Sequence, residues 1–214
     1  MKYRNFIFDL DGTLADTSPG VFEGIRLVLR QMGEPPVPED QLSRFIGPPL
    51  HISFAAVCGM KDPRLHEAVG IFREYYKNGG VYNSVLYPGM EQLLRTLKEQ
   101  GAVLMVATLK REEQAVSLIE HMGLSSLFSA VVGGDDAELR TKKDNIELAM
   151  RLSGASDKSA TLMIGDSEFD AVGAEQAGVD FCAANYGFGL TPEVIAKHPC
   201  AVEIASPLEL LEKL

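Results

Sequence analysis

The chain has 214 residues, of which 46% are hydrophobic, so it is long and apolar enough to bury a core and is globular rather than disordered. Its net charge of −10 argues against nucleic acid and anionic membrane surfaces as partners, because both need clustered cations, but it allows a small phosphorylated ligand. Three cysteines without metal-like spacing, an N-terminus unlike a signal peptide and apolar runs well short of about 18 residues favour a cytoplasmic protein.

The first predicted element is a buried strand from Asn5 to Phe8 that stops at a carboxylate. Asp9 ends the apolar run, Asp11 follows two residues later, and Gly12 allows the chain to turn. Ligands in open α/β sheets bind outside the carboxyl ends of strands, so both acids lie where a ligand is expected. Because adjacent carboxylates repel each other unless a cation intervenes, the pattern predicts a bound Mg²⁺ that also attracts phosphate oxygens. The alternative is an ordinary turn, since Asp-x-Asp-Gly-Thr is common in turns.

A helical block follows the first strand, without a convincing strand inside it. The predicted helices are Pro19–Met32, Glu39–Phe45, Leu50–Val57 and Pro63–Asn78. We therefore predict a small helical cap domain over residues 16–84, joined to the rest of the chain by hinge segments near Asp16 and Tyr82. Such a cap could close over the site and expel water. The alternative is a rigid helical subdomain packed on the sheet.

Strands and helices alternate along the remainder of the chain. The predicted strands are Val103–Ala107, Ser129–Val132, Thr161–Ile164, Phe181–Ala184 and Ala201–Ile204, and the predicted helices are Met90–Gln100, Arg111–Met122, Asn145–Leu152, Glu168–Ala177, Pro192–Lys197 and Leu208–Lys213. This alternation predicts an α/β core with a doubly wound parallel (Rossmann-like) sheet, formed by residues 1–15 and 85–214. Right-handed crossovers then bring the carboxyl ends of the strands to one edge.

Two of the strand-end loops supply groups that suit a phosphate. Thr108 and Leu109 follow a predicted strand, and a hydroxyl with a backbone N–H at a helix start makes a phosphate cradle, although such a threonine is equally a helix cap. Lys142 and Lys143 precede a predicted helix, where one lysine could neutralise a carboxylate and a transferring phosphoryl group. The alternative is a solvated pair of lysines.

The loop after the strand Thr161–Ile164 is acidic again. Asp166 would offer a hard oxygen to a metal, and Asp170 would lie one helical turn further on, within reach of the metal's water shell. The alternative, a helix cap at this point, is compatible with metal ligation. Together the loops fit one reaction, in which Asp9 is the nucleophile that attacks phosphorus and Asp11 is the general acid and base.

These motifs resemble those of the haloacid dehalogenase superfamily of phosphohydrolases, in the phosphoglycolate phosphatase-like branch that carries a helical cap after the first strand. The family's Asp-x-Asp-Gly-Thr motif matches Asp9 to Thr13, its second-motif Thr or Ser matches Thr108, and its Gly-Asp-x-x-x-Asp motif matches Gly165 to Asp170. The resemblance covers essentially the whole chain and implies this fold and a phosphatase activity.

The resemblance also implies a ligand set and a substrate contact. The metal ligands would be Asp9, Asp11 through its backbone carbonyl, and Asp166, with Asp170 in the supporting shell. Cap domains of this branch often carry a turn that points at the substrate, which corresponds here to the turn containing Gly47.

One departure from the family concerns the lysine, which in many members is followed by proline. Here Lys143 follows Lys142, and the spacing back from Ile146 favours Lys142 as the catalytic lysine, with Lys143 as the alternative. The acid at Asp11 argues against a dehalogenase, since members that break carbon–halogen bonds lack that second aspartate.

We therefore expect a Mg²⁺-dependent phosphomonoesterase that hydrolyses a small phosphorylated metabolite through an aspartyl-phosphate. The alternatives within the superfamily are a sugar phosphomutase of the β-phosphoglucomutase type and a nucleotidase or pyrophosphatase. Outside it they are a receiver-type signalling domain, which is shorter and has no helical insert, and a catalytically inactive binding protein. The sequence leaves the substrate open, because the core performs the chemistry and the cap selects the molecule, and it leaves a monomer and a homodimer equally open.

Overall fold

A parallel sheet organises the chain. The computed structural model describes residues 2–135, 139–198 and 200–214. The strands in these ranges are β1 (Asn5–Phe8), β2 (Ala15–Asp16), β3 (Val85–Leu86), β4 (Val103–Arg111), β5 (Ala130–Gly134), β6 (Thr161–Gly165), β7 (Asp180–Ala184) and β8 (Val202–Ile204). Within the described ranges, six of them form one sheet in the order β5-β4-β1-β6-β7-β8, and each neighbouring pair is parallel. The predicted α/β class is therefore confirmed.

Helices cover both faces of this sheet. They are α1 (Ser18–Met32), α2 (Leu50–Cys58), α3 (Arg64–Lys77), α4 (Met90–Glu99), α5 (Glu112–His121), α6 (Lys142–Ser153), α7 (Glu168–Ala177), α8 (Pro192–Lys197) and α9 (Glu209–Lys213). Short 3-10 turns occupy Glu39–Phe45, Gly80–Tyr82, Ser125–Leu127 and Lys158–Ala160. No helix in the described part of the chain is long and apolar enough to cross a membrane.

Alternation of side chains along β1 sorts the core into two clusters, because successive residues of a strand point to opposite faces. Phe6 and Phe8 are fully buried in a cluster with the apolar residues of α4 and α5, whereas Ile7 lies in a second cluster with those of α6 and α7. The next residue on the Ile7 side is Asp9, whose backbone N–H continues the ladder by donating to the carbonyl of Ile164 at 2.9 Å. Because alternate residues of a strand share a face, Asp9 lies on the face of the sheet that α6 and α7 cover.

The helical block lies between two short strands that pair with each other. Ala15 pairs with Leu86 and Asp16 with Val85 in an antiparallel ladder, close to the predicted hinge segments. Apolar residues of the block, including Phe54 and Phe72, belong to the same buried cluster as Phe6. The assignment of residues 16–84 to a separate cap domain stays a prediction.

The two largest differences from the predicted element boundaries concern the end of β4 and the start of α6. β4 continues to Arg111 rather than ending at Ala107, with a shift of register between the two. The residues that follow Ala107 in the strand are polar except for Leu109, and they conceal the strand in the sequence. A pair of glycines in β5 makes the extension possible. A Cβ on Gly133 would come within 2.5 Å of the Lys110 carbonyl oxygen, and one on Gly134 within 2.8 Å of the Leu109 carbonyl oxygen.

The second corrected boundary is the start of α6, which begins at Lys142 rather than at Asn145. A capping box sets this start: the Thr141 hydroxyl accepts from the Asp144 N–H at 3.2 Å, and the Thr141 N–H donates to the Asp144 carboxylate at 2.8 Å. The two reciprocal hydrogen bonds satisfy backbone groups that a helix start would otherwise leave unpaired. Lys142 is thereby placed in the first turn of the helix rather than in a loop.

Candidate active site

Lys142 reaches the carboxylate at the end of β1. Its Nζ lies 2.8 Å from Asp9 Oδ1, 2.7 Å from Asp170 Oδ1 and 2.9 Å from the carbonyl oxygen of Ala107. The side chains of Lys142 and Asp9 are only 4% and 5% exposed, so this is a buried ion pair. Burial alone lowers the pKa of Lys142, but the carboxylates of Asp170 and Asp9 outweigh it and hold that pKa above its ordinary value. Lys142, and not Lys143, is therefore the lysine that contacts Asp9.

Asp166 follows β6 and is held by backbone and side-chain donors. Its Oδ2 accepts from the Phe188 N–H at 2.7 Å, and its Oδ1 accepts from the Thr13 hydroxyl at 3.2 Å. Two glycines leave the space that its carboxylate occupies. A Cβ on Gly12, whose φ is +81°, would come within 2.2 Å of Asp166 Oδ2, and one on Gly187 within 2.4 Å of the same atom. Both positions therefore require glycine while Asp166 keeps this position.

Asp170 lies behind the other acids, in the first turn of α7. Its Oδ2 accepts from the Ser167 N–H at 3.0 Å and from the Ser167 hydroxyl at 2.6 Å, while its Oδ1 faces Lys142. Both of its carboxylate oxygens are thus engaged by the protein. This placement suits support of Lys142 and of the helix start better than direct contact with a ligand.

The donor set at this edge of the sheet fits a divalent metal. Asp9, Asp166 and Asp170 are all buried, and each offers a carboxylate oxygen within 4.8 Å of the others. Burial, then the negative charges of Asp170 and Asp9, raise the pKa of Asp166 to about 8. Burial raises the pKa of Asp9 to about 6, against the opposing charge of Lys142. Three carboxylates face one ammonium group, so a hard cation with oxygen ligands, such as Mg²⁺, matches both the charge and the chemistry of the cluster.

Asp11 belongs to a second lysine–aspartate pair. Lys110 Nζ lies 2.8 Å from Asp11 Oδ1, and the two side chains are 6% and 11% exposed. Tyr76, on α3, places the face of its ring 4.9 Å from the same ammonium group. Burial by itself lowers the pKa of Lys110, and the charge of Asp11 more than offsets this, so that pKa is raised. Among the described residues, Asp11 and Asp9 therefore form direct ion pairs with different lysines.

Three of the predicted residues line one solvent-open cavity of about 100 Å³. They are Asp11, Leu109 and Gly47, and Gly47 has a φ of +95° in the turn before α2. Arginines also line the cavity, at positions 73, 111 and 140. The cavity thus joins the predicted acid–base residue to the predicted substrate turn.

Thr108 occupies a different setting from the one predicted. It lies in the extension of β4, four residues before α5 begins at Glu112, so it neither caps that helix nor forms a cradle at its start. It is 1% exposed, its hydroxyl accepts from the Lys110 N–H at 3.2 Å, and its carbonyl accepts from Asn145 Nδ2 at 2.7 Å. The expectation of a helix-start cradle is therefore wrong, although a role for Thr108 in binding phosphate stays a prediction.

Comparison with known proteins decides the family. A family model described as haloacid dehalogenase-like hydrolase matches residues 6–184. The chain belongs to this family. A 5′-nucleotidase from Pseudomonas aeruginosa is 33% identical over 215 residues, which cover 99% of this chain and 97% of that protein. A phosphoglycolate phosphatase from Rhodobacter capsulatus is 35% identical over 191 residues, which cover 87% of this chain and 86% of that protein.

A solved structure agrees with these sequence relatives. A predicted phosphatase from Clostridium acetobutylicum has a TM-score of 0.90 and 33% identity, with 100% of this chain and 98% of that chain covered. The resemblance found in the sequence is confirmed, and the protein is a phosphatase of the haloacid dehalogenase-like family.

Sequence reasoning missed two residues of this phosphatase that contact the candidate site. Lys110 stood inside the second motif without an assigned role, because nothing in the neighbouring sequence shows that it reaches Asp11. Gly187 carried no signal, because its contact with Asp166 depends on how the loop after β7 returns to the sheet edge.

Proposed function

We propose that this phosphatase hydrolyses phosphate monoesters of small metabolites, with Mg²⁺ and through an aspartyl-phosphate at Asp9. The observation that carries the proposal is the gathering of Asp9, Lys142 and Asp166 at one sheet edge, with Asp11 beside them at the wall of a cavity. Family relatives named for phosphatase activity support it.

In the first proposed step, a carboxylate oxygen of Asp9 forms a bond to phosphorus as the bond from phosphorus to the leaving oxygen breaks. The electron pair of that bond stays on the leaving oxygen, which takes a proton from the carboxylic acid of Asp11. The products of the step are a free alcohol, an aspartyl-phosphate and an Asp11 carboxylate.

In the second proposed step, the Asp11 carboxylate takes a proton from water as the water oxygen forms a bond to phosphorus. The bond between phosphorus and Asp9 breaks, and its electron pair returns to the Asp9 carboxylate. Inorganic phosphate leaves, and both aspartates are again in their starting protonation states.

Lys142 would keep the Asp9 carboxylate oriented and offset the negative charge that both steps bring together. Mg²⁺ would be held by the carboxylates of Asp9 and Asp166 and by the backbone carbonyl of Asp11, with Asp170 behind them. When bound, it would supply positive charge to the phosphoryl oxygens. Thr108 and Leu109 would hold the phosphoryl group from the β4 side.

The relatives named for 5′-nucleotides and for phosphoglycolate differ in leaving group but share the phosphate monoester, which is the substrate class proposed here. Residues 16–84 would act as the cap that selects the leaving group, through the turn at Gly47. The proposed cytoplasmic location is consistent with free thiols at Cys58, Cys182 and Cys200.

The test is phosphate release from a panel of phosphorylated metabolites. We expect release from at least one of them in the presence of Mg²⁺, its loss in EDTA, and a loss of at least about 1,000-fold in Asp9→Asn, because the nucleophile is removed. Asp40→Asn, at an exposed position, is the matched control. Retained activity in Asp9→Asn would contradict the proposal, and an isomerised sugar phosphate without free phosphate would indicate a mutase instead.

A further inference from the structure

The ion pair between Lys110 and Asp11 is an unusual feature of the cavity wall. Both side chains are almost fully buried, with Nζ and Oδ1 2.8 Å apart. Removing two charges from water carries a large free-energy cost, so a buried pair is weak evidence for stability. Asp11 lies two residues after Asp9, and both Asp11 and Lys110 line the proposed substrate cavity. This position points to a role for the ion pair in the reaction.

Three separate parts of the chain hold this pair in place. Asp11 lies in the turn after β1, Lys110 in the extension of β4, and Tyr76 near the end of α3. The backbone of Lys110 is tied by its N–H to the Thr108 hydroxyl at 3.2 Å. The ring face of Tyr76, which is 3% exposed, lies 4.9 Å from the ammonium group. Arg and Lys cations are attracted to such ring faces, so Lys110 has a fixed partner on each side.

We propose that Lys110 is a positioning residue for the proton transfers of Asp11, and that Tyr76 seats the Lys110 ammonium group for this purpose. With Oδ1 occupied by Lys110, Oδ2 is the oxygen of Asp11 that can carry the proton exchanged with the leaving group and with water. The proposal rests on the acid–base role of Asp11 proposed above. Because Tyr76 belongs to the helical block, the block contributes to chemistry as well as to substrate choice.

The positive charge of Lys110 would also keep the Asp11 side chain apart from Asp9. Asp9 is already paired with Lys142, so a second ammonium group draws Asp11 away from that cluster and toward the cavity. Without Lys110, the Asp11 side chain would be free to rotate toward bound Mg²⁺ or away from the leaving oxygen. Either movement slows proton transfer while the nucleophile stays intact.

The first experiment separates the two chemical steps by the leaving group. Dinitrophenolate leaves without needing a proton, so the first step on dinitrophenyl phosphate does not need Asp11, whereas hydrolysis of the aspartyl-phosphate does. In Lys110→Met we expect a burst of dinitrophenolate at close to the wild-type rate, followed by steady-state turnover about 100-fold slower, within the range of general acid–base catalysis. An alkyl phosphate differs, because its leaving oxygen needs a proton from Asp11. With that substrate the first step should also slow in Lys110→Met, and the burst should be lost.

Other outcomes would overturn the proposal. A burst rate that falls as far as the steady-state rate would mean that Lys110 binds the transferring phosphoryl group. A raised KM with unchanged kcat would mean that it binds the leaving group. Lys98→Met, at an exposed position on α4, is the control for the substitution itself.

A double-mutant cycle guards against a mere folding defect. If Lys110 acts only through Asp11, then adding Lys110→Met to Asp11→Asn should change kcat by less than about twofold, because the shared interaction is already lost. Multiplied losses in the double variant would overturn the proposal. Thermal melts of all four proteins establish that each variant folds.

The role of Tyr76 is tested by a pair of substitutions. Tyr76→Leu removes the ring face and should lower steady-state kcat by about fivefold, the size expected of a cation–π contact, while the dinitrophenolate burst persists. Tyr76→Phe retains the ring and should recover most of that loss. Equal activity of the Leu and wild-type enzymes would overturn this part.

The failure of this inference differs from failure of the proposed function. If the Asp9→Asn variant still releases phosphate and keeps its dinitrophenolate burst, the proposed function is wrong regardless of the result with Lys110→Met. If Asp9→Asn is inactive and Lys110→Met matches the wild type in every phase, only the present inference is wrong.

Discussion

The site divides into two halves that are built differently. The nucleophile half, named for the role proposed for Asp9, comprises Asp9, Lys142, Asp166 and Asp170. It comes from the carboxyl ends of β1 and β6 and from the helices α6 and α7 beside them. The acid–base half, named for the role proposed for Asp11, comprises Asp11, Lys110 and Tyr76. It joins the turn after β1 to the extension of β4 and to α3 of the helical block. The first half is therefore contained in the sheet and its covering helices, whereas the second needs the helical block to be complete.

Charge balance distinguishes the same two halves. In the nucleophile half one ammonium group faces three carboxylates, and the pKa values of Asp9 and Asp166 are raised to about 6 and about 8, mainly by burial. In the acid–base half one ammonium group faces one carboxylate. A cluster with excess buried negative charge is stabilised by a bound cation, whereas an ion pair whose charges already cancel needs no further cation. On the proposed mechanism, the side chains that bind the metal and the side chain that transfers protons therefore lie in different neighbourhoods of one small site.

The substitution with the largest expected effect removes the lysine of the nucleophile half. Lys142→Met leaves Asp9 and Asp170 without their cation, and breaking a buried pair in this way costs about 3–5 kcal/mol of unfolding free energy. We expect this loss of unfolding free energy in denaturant unfolding without metal. We also expect the rate of phosphate release to fall by at least about 1,000-fold.

The neighbouring lysine provides the control. Lys143→Met alters the same helix start without touching Asp9 or Asp170, so its unfolding free energy should stay within about 0.5 kcal/mol of the wild-type value. If Lys143→Met were the more damaging of the two substitutions, the assignment of Lys142 would have to be abandoned.

A second prediction concerns pH, and it should affect the nucleophile half alone. Asp166 has a folded-state pKa of about 8 against an ordinary value of 3.8, so between these values the folded state holds a proton that the unfolded state has lost. Without metal, stability should therefore be greatest near pH 4 and fall by an amount on the order of a few kcal/mol by pH 8. Asp9 contributes in the same direction up to about pH 6.

Thermal melts with EDTA and with Mg²⁺ at pH 5 and pH 8 check this. Mg²⁺ competes with protons for the carboxylates, so its stabilising effect should be larger at pH 8. Asp166→Asn should flatten the pH dependence and remove most of the response to Mg²⁺. Equal responses to Mg²⁺ at both pH values would mean that these acids do not form the metal site.

The third prediction concerns a substitution that displaces one proposed metal ligand and leaves the acid–base half intact. A Cβ on Gly187 would lie 2.3 Å from the Asp166 Cβ, so Gly187→Ala should move that carboxylate and weaken Mg²⁺ affinity by about 10- to 100-fold. Gly189→Ala is the matched control, because its Cβ would meet the Asp166 carbonyl oxygen at 3.1 Å. Activity titrated with Mg²⁺ measures both; similar midpoints for the two variants would contradict the prediction.

The smallest expected effect concerns the turn at the cavity. Gly47 has a φ of +95° with nothing within 4 Å of a Cβ, so Gly47→Ala meets backbone strain of about 1–2 kcal/mol but no clash. We expect KM for the best substrate to rise by at most about 5- to 30-fold, the factor that this strain implies, with the Mg²⁺ midpoint unchanged. A shift in the Mg²⁺ midpoint would show that the halves are less separate than the contacts indicate.

The accuracy of sequence prediction differed between the two halves for a physical reason. Asp9 and Asp166 each follow a run of apolar residues that forms a buried strand, and parallel strands bring their ends together, so their proximity could be predicted. Lys142 was chosen from the family pattern, and the structure places its Nζ on Asp9. The catalytic roles of these residues stay predictions.

Lys110 and the extension of β4 were harder to predict. The extension has polar side chains, so hydrophobic pattern placed the end of the strand at Ala107, and its backbone is accommodated by glycines in β5. The pairing of Lys110 with Asp11 joins residues 99 positions apart, and local sequence carries no signal for such a contact.

The sequence by itself determined the α/β core, the strand ends that carry Asp9 and Asp166, and the membership of the phosphatase family, because hydrophobic periodicity and short motifs are local properties of the chain. Tertiary structure alone decided that Asp11 and Tyr76 both contact the Lys110 ammonium group and that Gly12 and Gly187 make room for Asp166. Those contacts depend on how distant segments pack against one another, and packing is set by the shape of the whole core rather than by any one stretch of residues.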